Sequence, residues 1–307
     1  MQSSGSRSSI RLVPSPSVVC ARACRLLLLF VGAAFFFGCS RSQSASPQTR
    51  PPVEFLREWG APGDGPGPLS FPVSVATDEH GLIYLADAGS RFIHKFDAQG
   101  QALSPFTDDR LRRPSGIAVR GGLVYVADYS AGFVFVYAHD GRRLRQVRGG
   151  PGRGFHGPIG VTADEEGNLF VLEFDAHRVQ RFDARGRFLR AWGQEGSAPG
   201  EFRFPVDLAV GPDGDLYVAD AHNERIQKFT RDGQFIAAFG LRDGTEGVPR
   251  LPAGLAVTAD FLLVADSRGG RPEVCSLDSR LLHVEDLSSR LAKETDTPTD
   301  VAAGARQ

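Results

Sequence analysis

Between residues 72 and 287 the apolar positions fall in short runs of four to six residues, rich in Val, Ile, Phe and Tyr and bounded by Gly, Asp and Pro. That pattern predicts strands rather than helices, and no stretch after residue 40 repeats at helical spacing. The runs recur in phase. A proline opens each unit at Pro72, Pro114, Pro158, Pro205 and Pro252, at spacings of 42, 44, 47 and 47 residues. An acid closes the second run of each unit, at Asp87, Asp128, Glu173, Asp220 and Asp266. Self-similarity at this period marks a repeat architecture, and the period is the length of a four-stranded β-propeller blade.

The details of the unit fit a blade. Its first two strands are apolar on nearly every residue, as expected of strands covered on both faces. The third strand carries anchors three apart, Ile93 and Phe96, Val134 and Tyr137, Val179 and Phe182, Ile226 and Phe229, Val274 and Leu277. That spacing puts one anchor toward each neighbouring blade. Gly100, Gly141, Gly186 and Gly233 close tight turns before the fourth strand, where a positive φ is required. The fourth strand ends in an aromatic and a glycine at Trp192-Gly193 and Phe239-Gly240, and the same ending precedes the first unit at Trp59-Gly60. The expected fold is therefore an all-β propeller of five recognisable blades, or six with a degenerate one, whose N-terminal strand closes the ring and removes its open edge. Leu281 to Leu287 also reads as a fourth strand, which leaves the two counts open.

The unit resembles the NHL repeat: a proline, a short strand, Asp-x-x-Gly, an apolar strand ending Ala-Asp, an Arg-Ile pair and an aromatic. Pro205 to Gly233 matches best, with Asp213-Gly214, Val218-Ala219-Asp220, Asn223, Arg225-Ile226 and Phe229. The resemblance covers residues 52 to about 287. It implies an NHL-type propeller but leaves activity open, because this fold serves unrelated functions.

Residues 1–38 hold four arginines and no acid, then a twelve-residue apolar run from Leu26 to Phe37. The run is short for a transmembrane helix and suits the core of a secretory signal peptide. Phe36-Phe37-Gly38-Cys39 resembles a bacterial lipobox, which implies lipid modification of Cys39, and Ser40 after it implies sorting to the outer membrane. The expected layout is a lipoprotein-type signal peptide (1–38), a polar tether (39–52), the propeller (53–287) and a disordered tail (288–307). The location implied is the cell envelope. Cys20 and Cys24 fall in the leader, so Cys275 alone remains in the domain, and a buried inert thiol is the expectation for it.

The formal charge of −1 for the whole chain becomes −5 without the leader's arginines. A mildly acidic domain has no electrostatic footprint for nucleic acid. The five acids share one position in every blade; they could ring a metal or a cationic ligand. The structural alternative is that they accept backbone N–H bonds and shape the next turn. Arg91, Arg178, Arg225 and Arg271 also recur, with Gly132 breaking the series. Repetition suits the scaffold; a unique site should break the repeat.

The breaks are Gly132, Glu173, the pair His177 and His222, and the irregular last blade. Histidines from adjacent blades could meet at the axis and hold zinc. That idea resembles the peptidyl-amidating lyases, although the residues after the opening prolines (Val73, Ser115, Ile159, Val206, Ala253) cannot ligate metal as imidazoles. Glu173, Asn223 and Asp220 match in type the calcium set of the gluconolactonase-like propellers. The glycine-rich segments are blade connections, since each leads to a strand rather than to the helix a phosphate loop needs.

The sequence thus favours a membrane-tethered, non-catalytic scaffold binding a protein, peptide or cell-wall ligand, with Glu173, His177, Asp220, His222 and Asn223 as candidate binding residues and no cofactor. The alternative is a metal-dependent hydrolase or lyase with zinc or calcium in the axial cavity. No nucleophile, base and orienting group can be named together.

Overall fold

The structure is a computed structural model and describes residues 17–22, 26–31, 53–59, 69–152, 154–240, 251–268, 271–277, 281–284 and 298–303. Each repeat folds as a four-stranded antiparallel sheet in chain order. The first blade is Pro72–Thr77, Ile83–Asp87, Ile93–Phe96 and Ala102–Phe106. The others open with Pro114–Arg120, Pro158–Ala163, Asp207–Val210 and Pro252–Val257. These opening strands touch one another from blade to blade, so they are the innermost strands and surround the axis.

Burial follows from that placement. The second strands Ile83–Asp87, Leu169–Glu173 and Leu216–Asp220 are buried at every position, whereas the outer Phe188–Trp192 is almost entirely exposed. The three-residue anchors face opposite ways, as their spacing predicts. Tyr137 packs toward the first blade with Tyr84, and Val134 toward the third with Phe182. Val179 and Phe229 then meet between the third and fourth blades. Burying each such side chain contributes about 1.5–3 kcal/mol, so the blade interfaces form the core of the molecule.

Close approach at the axis fixes the inner residues. A Cβ on Gly116 would lie 2.5 Å from the carbonyl oxygen of Ile159, and one on Gly160 would lie 2.7 Å from Leu208. Where the inner strand carries a polar side chain, it bridges to the next blade. Ser74 Oγ accepts the N–H of Ile117 at 3.1 Å, Ser115 Oγ donates to the carbonyl of Pro158 at 2.7 Å, and Asp207 accepts the N–H of Leu255 at 2.6 Å. The remaining axial cavity is about 160 Å³, lined by Ser74, Thr77, Val161, Thr162, Asp207 and their neighbours.

Three features differ from the sequence reading. First, Leu281–Val284 pairs with Arg271–Ser276 and completes the fifth blade. Val53–Trp59 is instead the outer strand of a further four-stranded sheet, in the order Pro298–Ala303, Ser17–Arg22, Leu26–Val31, Val53–Trp59. Its inner strand touches the inner strands of the fifth and first blades, so both ends of the chain meet where the ring closes. Two of its strands come from the segment read as a leader and one from the tail read as disordered; Cys39 lies outside the described residues.

Second, the third strand of the last blade is shifted. Val264 pairs with Glu273 and Leu262 with Cys275, whereas Leu85 pairs with His94 and Ile83 with Phe96 in the first blade. Glu273 therefore occupies the place of His94, Gln180 and Gln227, and Cys275 that of the aromatic anchors. By register, Cys275 rather than Leu277 stands at the second anchor position. Third, Arg91 and Gly132 lie four residues after the acid, at the place of His177 and Glu224 rather than that of Arg178 and Arg225.

Candidate binding face

The five acids are almost completely buried, and their carboxylates hold the face where the opening prolines lie. Asp87 accepts the N–H groups of Ser70 (2.7 Å) and Phe71 (2.8 Å), just before the opening proline, and those of Gly89 and Ser90 in the turn that follows. Asp128 does the same with Arg112, Arg113, Ser130 and Ala131. A carboxylate suits this place because it offers only acceptors, enough for several converging donors. Burial alone would raise the Asp87 pKa, but His94 and the backbone donors Ser70, Phe71 and Ser90 outweigh it and hold the carboxyl well below its usual range.

The longer Glu173 reaches His156 N–H at 2.6 Å and adds Arg178 Nε at 2.5 Å and Gln180 Nε2 at 2.6 Å. Asp220 accepts Arg203 N–H (2.6 Å), Asn223 Nδ2 (2.8 Å), Arg225 Nε (2.7 Å) and Gln227 Nε2 (3.0 Å). These acids are thus tied into the scaffold, each within its own blade. Asn223 also donates to the carbonyl of Gly196 at 2.8 Å. Glu173, Asp220 and Asn223 are engaged with protein groups rather than gathered round a common point. Among the described residues no group of three or more His, Cys, Asp or Glu is placed to hold a metal ion.

The turn after each of the first four acids contains a left-handed residue: Arg91 (φ 63°), Gly132 (69°), His177 (51°) and Glu224 (54°). Glycine adopts this conformation freely, whereas other residues store about 1–2 kcal/mol there. In the third blade the strained residue does something further. His177 is only 8% exposed, and its Nδ1 accepts the N–H of Phe204 at 3.1 Å, which places the ring proton on Nε2. Phe204 itself has a φ of 46° immediately before Pro205. No other residue before an opening proline has a positive φ except Gly157.

The Phe204 ring contacts two imidazoles, its centroid 4.8 Å from that of His177 and 4.8 Å from that of His222. The structure therefore brings the two histidines against one aromatic ring. From Phe204 the aromatic surface continues to Phe174 at 5.1 Å and to Tyr129 at 6.5 Å. Arg113 lies 5.0 Å over the Tyr129 ring, and the Tyr129 hydroxyl donates to Asp175 at 2.9 Å. Burial first, and then this hydrogen bond, raise the Tyr129 pKa. Phe71, half exposed, takes the position of Phe204 in the first blade.

Charge is unevenly distributed over this face. The two residues before each opening proline and the turn after each acid supply the exposed Arg91, Arg112, Arg113 and Arg203. Their acids are Asp175, held by Tyr129, and Glu224, 3.0 Å from Arg268. The opposite end carries Asp140, Glu165, Glu166, Asp183 and Asp232 among its turns, together with Arg142 and Arg185.

Tyr129, Phe174 and Phe204 were not singled out by the sequence. Their signal lay in two columns of the repeat, the residue before the proline (Phe71, Arg113, Gly157, Phe204, Leu251) and the residue after the acid (Ala88, Tyr129, Phe174, Ala221, Ser267). Both columns vary where the acids and prolines do not.

A β-propeller whose blades are tied by buried acids and whose loops gather on one face is the class this geometry defines. The family model for the NHL repeat matches residues 111–137 and 202–229, so the chain carries NHL repeats in the second and fourth blades. E3 ubiquitin-protein ligase TRIM32 of Mus musculus is 28% identical over 149 residues, 48% of this chain and 19% of that protein. The chain thus spans about a fifth of that relative's length. Among solved structures, a chain of the nidogen/laminin complex superposes with a TM-score of 0.68 at 15% identity, over 95% of this chain and 99% of that one. Streptogramin B lyase gives a TM-score of 0.55 at 17% identity, over 70% of this chain and 68% of that one. At these identities the structural likeness establishes the fold.

Proposed function

We propose that the protein is a non-catalytic binding scaffold that receives a protein or peptide on the face around Phe204, and that a form tethered to the membrane of the cell envelope by a lipid on Cys39 has lost Ser17–Arg22 and Leu26–Val31 by cleavage but keeps this face, which lies on the second to fourth blades. The observation that carries the reading is the cluster of His177, Phe204 and His222, continued by Phe174 and Tyr129. Strained backbone and half-buried aromatics gathered on loops of a rigid ring are the features of a binding surface. A nidogen/laminin complex and TRIM32 among the similar proteins agree with a role in protein association.

The hydrolase or lyase reading has less support, although streptogramin B lyase shares the fold. It needs side chains free to bind a metal or move a proton, and Glu173, Asp220, Asn223 and His177 Nδ1 each have a structural partner.

The test is a Phe174→Ser, Phe204→Ser double variant in the full-length protein. Recovery of crosslinked envelope partners should fall while thermal unfolding stays cooperative. Unchanged recovery would contradict the reading, as would stoichiometric zinc or calcium that is lost in His177→Ala. For the tether, Cys39→Ser should move the protein out of the membrane fraction.

A further inference from the structure

We infer that the face around Phe204 takes an acidic, extended peptide segment carrying an aromatic or bulky apolar side chain. This rests on the scaffold reading above and adds the chemistry of the partner.

Charge complementarity comes first. Arg91, Arg112, Arg113 and Arg203 are exposed on this face, and among the described residues none of the four has a carboxylate within ion-pair distance. On the same chain, Arg143, Arg178, Arg181, Arg187 and Arg225 all have one. Exposed guanidinium groups with no carboxylate at ion-pair distance favour an anionic partner at this face. Guanidinium forks are suited to carboxylates in particular.

The apolar requirement follows from the aromatic surface. Tyr129, Phe174 and Phe204 form one run of ring contacts across three blades, and Arg113 stacks on the Tyr129 end of it. A planar or branched side chain laid there would cover the rings while its neighbours' carboxylates reach the arginines. Such a central aromatic patch with a charged rim is the arrangement that concentrates binding energy.

Asp175 selects a peptide over a nucleic acid strand. Its exposed carboxylate sits beside the rings, fixed by the Tyr129 hydroxyl and allowed in by Gly157, where a Cβ would lie 2.4 Å from the Asp175 oxygen. A peptide backbone offers an N–H donor to that carboxylate at nearly every residue, whereas the phosphates of a nucleic acid strand offer only acceptors.

The experiment measures fluorescence anisotropy of short labelled peptides added to the full-length protein. The probes are an Asp/Glu-rich peptide containing one tryptophan, the same peptide with Lys for each acid, the acidic peptide with Ser for the tryptophan, and oligouridine. The acidic tryptophan peptide should bind at least about tenfold tighter than the others and weaken with added salt. Arg113→Glu and Arg203→Glu should each weaken it by about tenfold, while Glu165→Arg at the opposite end leaves it unchanged. Equal binding of the acidic and basic peptides, indifference to the arginine reversals, or tighter binding of oligouridine would overturn the inference. Loss of crosslinked partners in the Phe174→Ser, Phe204→Ser variant alongside failure of the acidic peptide would reject the partner's chemistry while keeping the binding face. Unchanged recovery in that variant would reject the face itself.

Discussion

His177 and Phe204, 27 residues apart and in adjacent blades, are joined by a hydrogen bond from the Phe204 N–H to the imidazole Nδ1, and both have left-handed backbones. Two strained residues that support each other across a blade boundary are held by the surrounding ring, and that contact fixes the orientation of the Phe204 ring.

Replacing His177 therefore separates two contributions. His177→Asn retains a residue that tolerates positive φ and should cost under about 1 kcal/mol. His177→Val loses the acceptor and places a β-branched side chain at φ 51°, and should cost about 2–4 kcal/mol. Urea unfolding of the two variants measures the difference; equal midpoints would show that neither the strain nor the hydrogen bond matters.

Glu173 ties a loop, an arginine and a glutamine together in the third blade. Truncation to Ala leaves the partners of a fully buried carboxylate unsatisfied and should destabilise by about 3–5 kcal/mol. Glu173→Asp, which restores the acid found in the other four blades but with a shorter reach, should recover part of that loss. Thermal unfolding that is unchanged in the Ala variant would contradict the tying role.

Much of this scaffold could be read from the sequence, because its determinants repeat. The prolines and acids recur at one place in each blade, so pattern alone gives the inner strands, the buried second strands and the acids' turn-shaping role. The binding face could not be read the same way. The contact between His177 and Phe204 depends on how one blade packs on the next, and no periodicity within a unit encodes it. The anchors of the last blade, Val274 and Leu277, were misread for a related reason: the pattern of hydrophobic residues beyond Asp266 is satisfied equally well two positions away. The sheet made by the chain ends was hidden because the Leu26 to Phe37 run suits a leader as well as a strand.

Asp87 gives the stability a defined acid dependence. Its folded pKa lies below the unfolded value, so its contribution is complete above about pH 4 and declines as the pH falls toward the folded value. The difference in stability between the parent and Asp87→Asn should accordingly be large at neutral pH and shrink below that point. A constant difference across the acid range would contradict the assignment.

Cys275 is buried, and its thiol is pushed up to about 12, by burial first and then by Glu273. It should remain unmodified by iodoacetamide in the folded protein near pH 8 and react once urea unfolds the chain. Rapid alkylation without unfolding would show that the fifth blade is open.

Gly116 tests the packing of the axis. A methyl group there meets the carbonyl oxygen of Ile159, which is backbone and cannot swing away. Gly116→Ala should lower stability by about 1–3 kcal/mol, read from the urea midpoint. Gly121→Ala, at a turn with nothing near its added Cβ, supplies a comparison in which only the positive φ is strained.

The most direct measurement places a photo-crosslinking side chain at Tyr129 in one protein and at Asp140, on the opposite end, in another, and irradiates each in the intact envelope. Discrete partner adducts should form from position 129 and not from position 140, and should disappear when Phe174 and Phe204 are both replaced by Ser. Adducts from position 140 alone, or adducts from position 129 that survive loss of both phenylalanines, would contradict binding at this face.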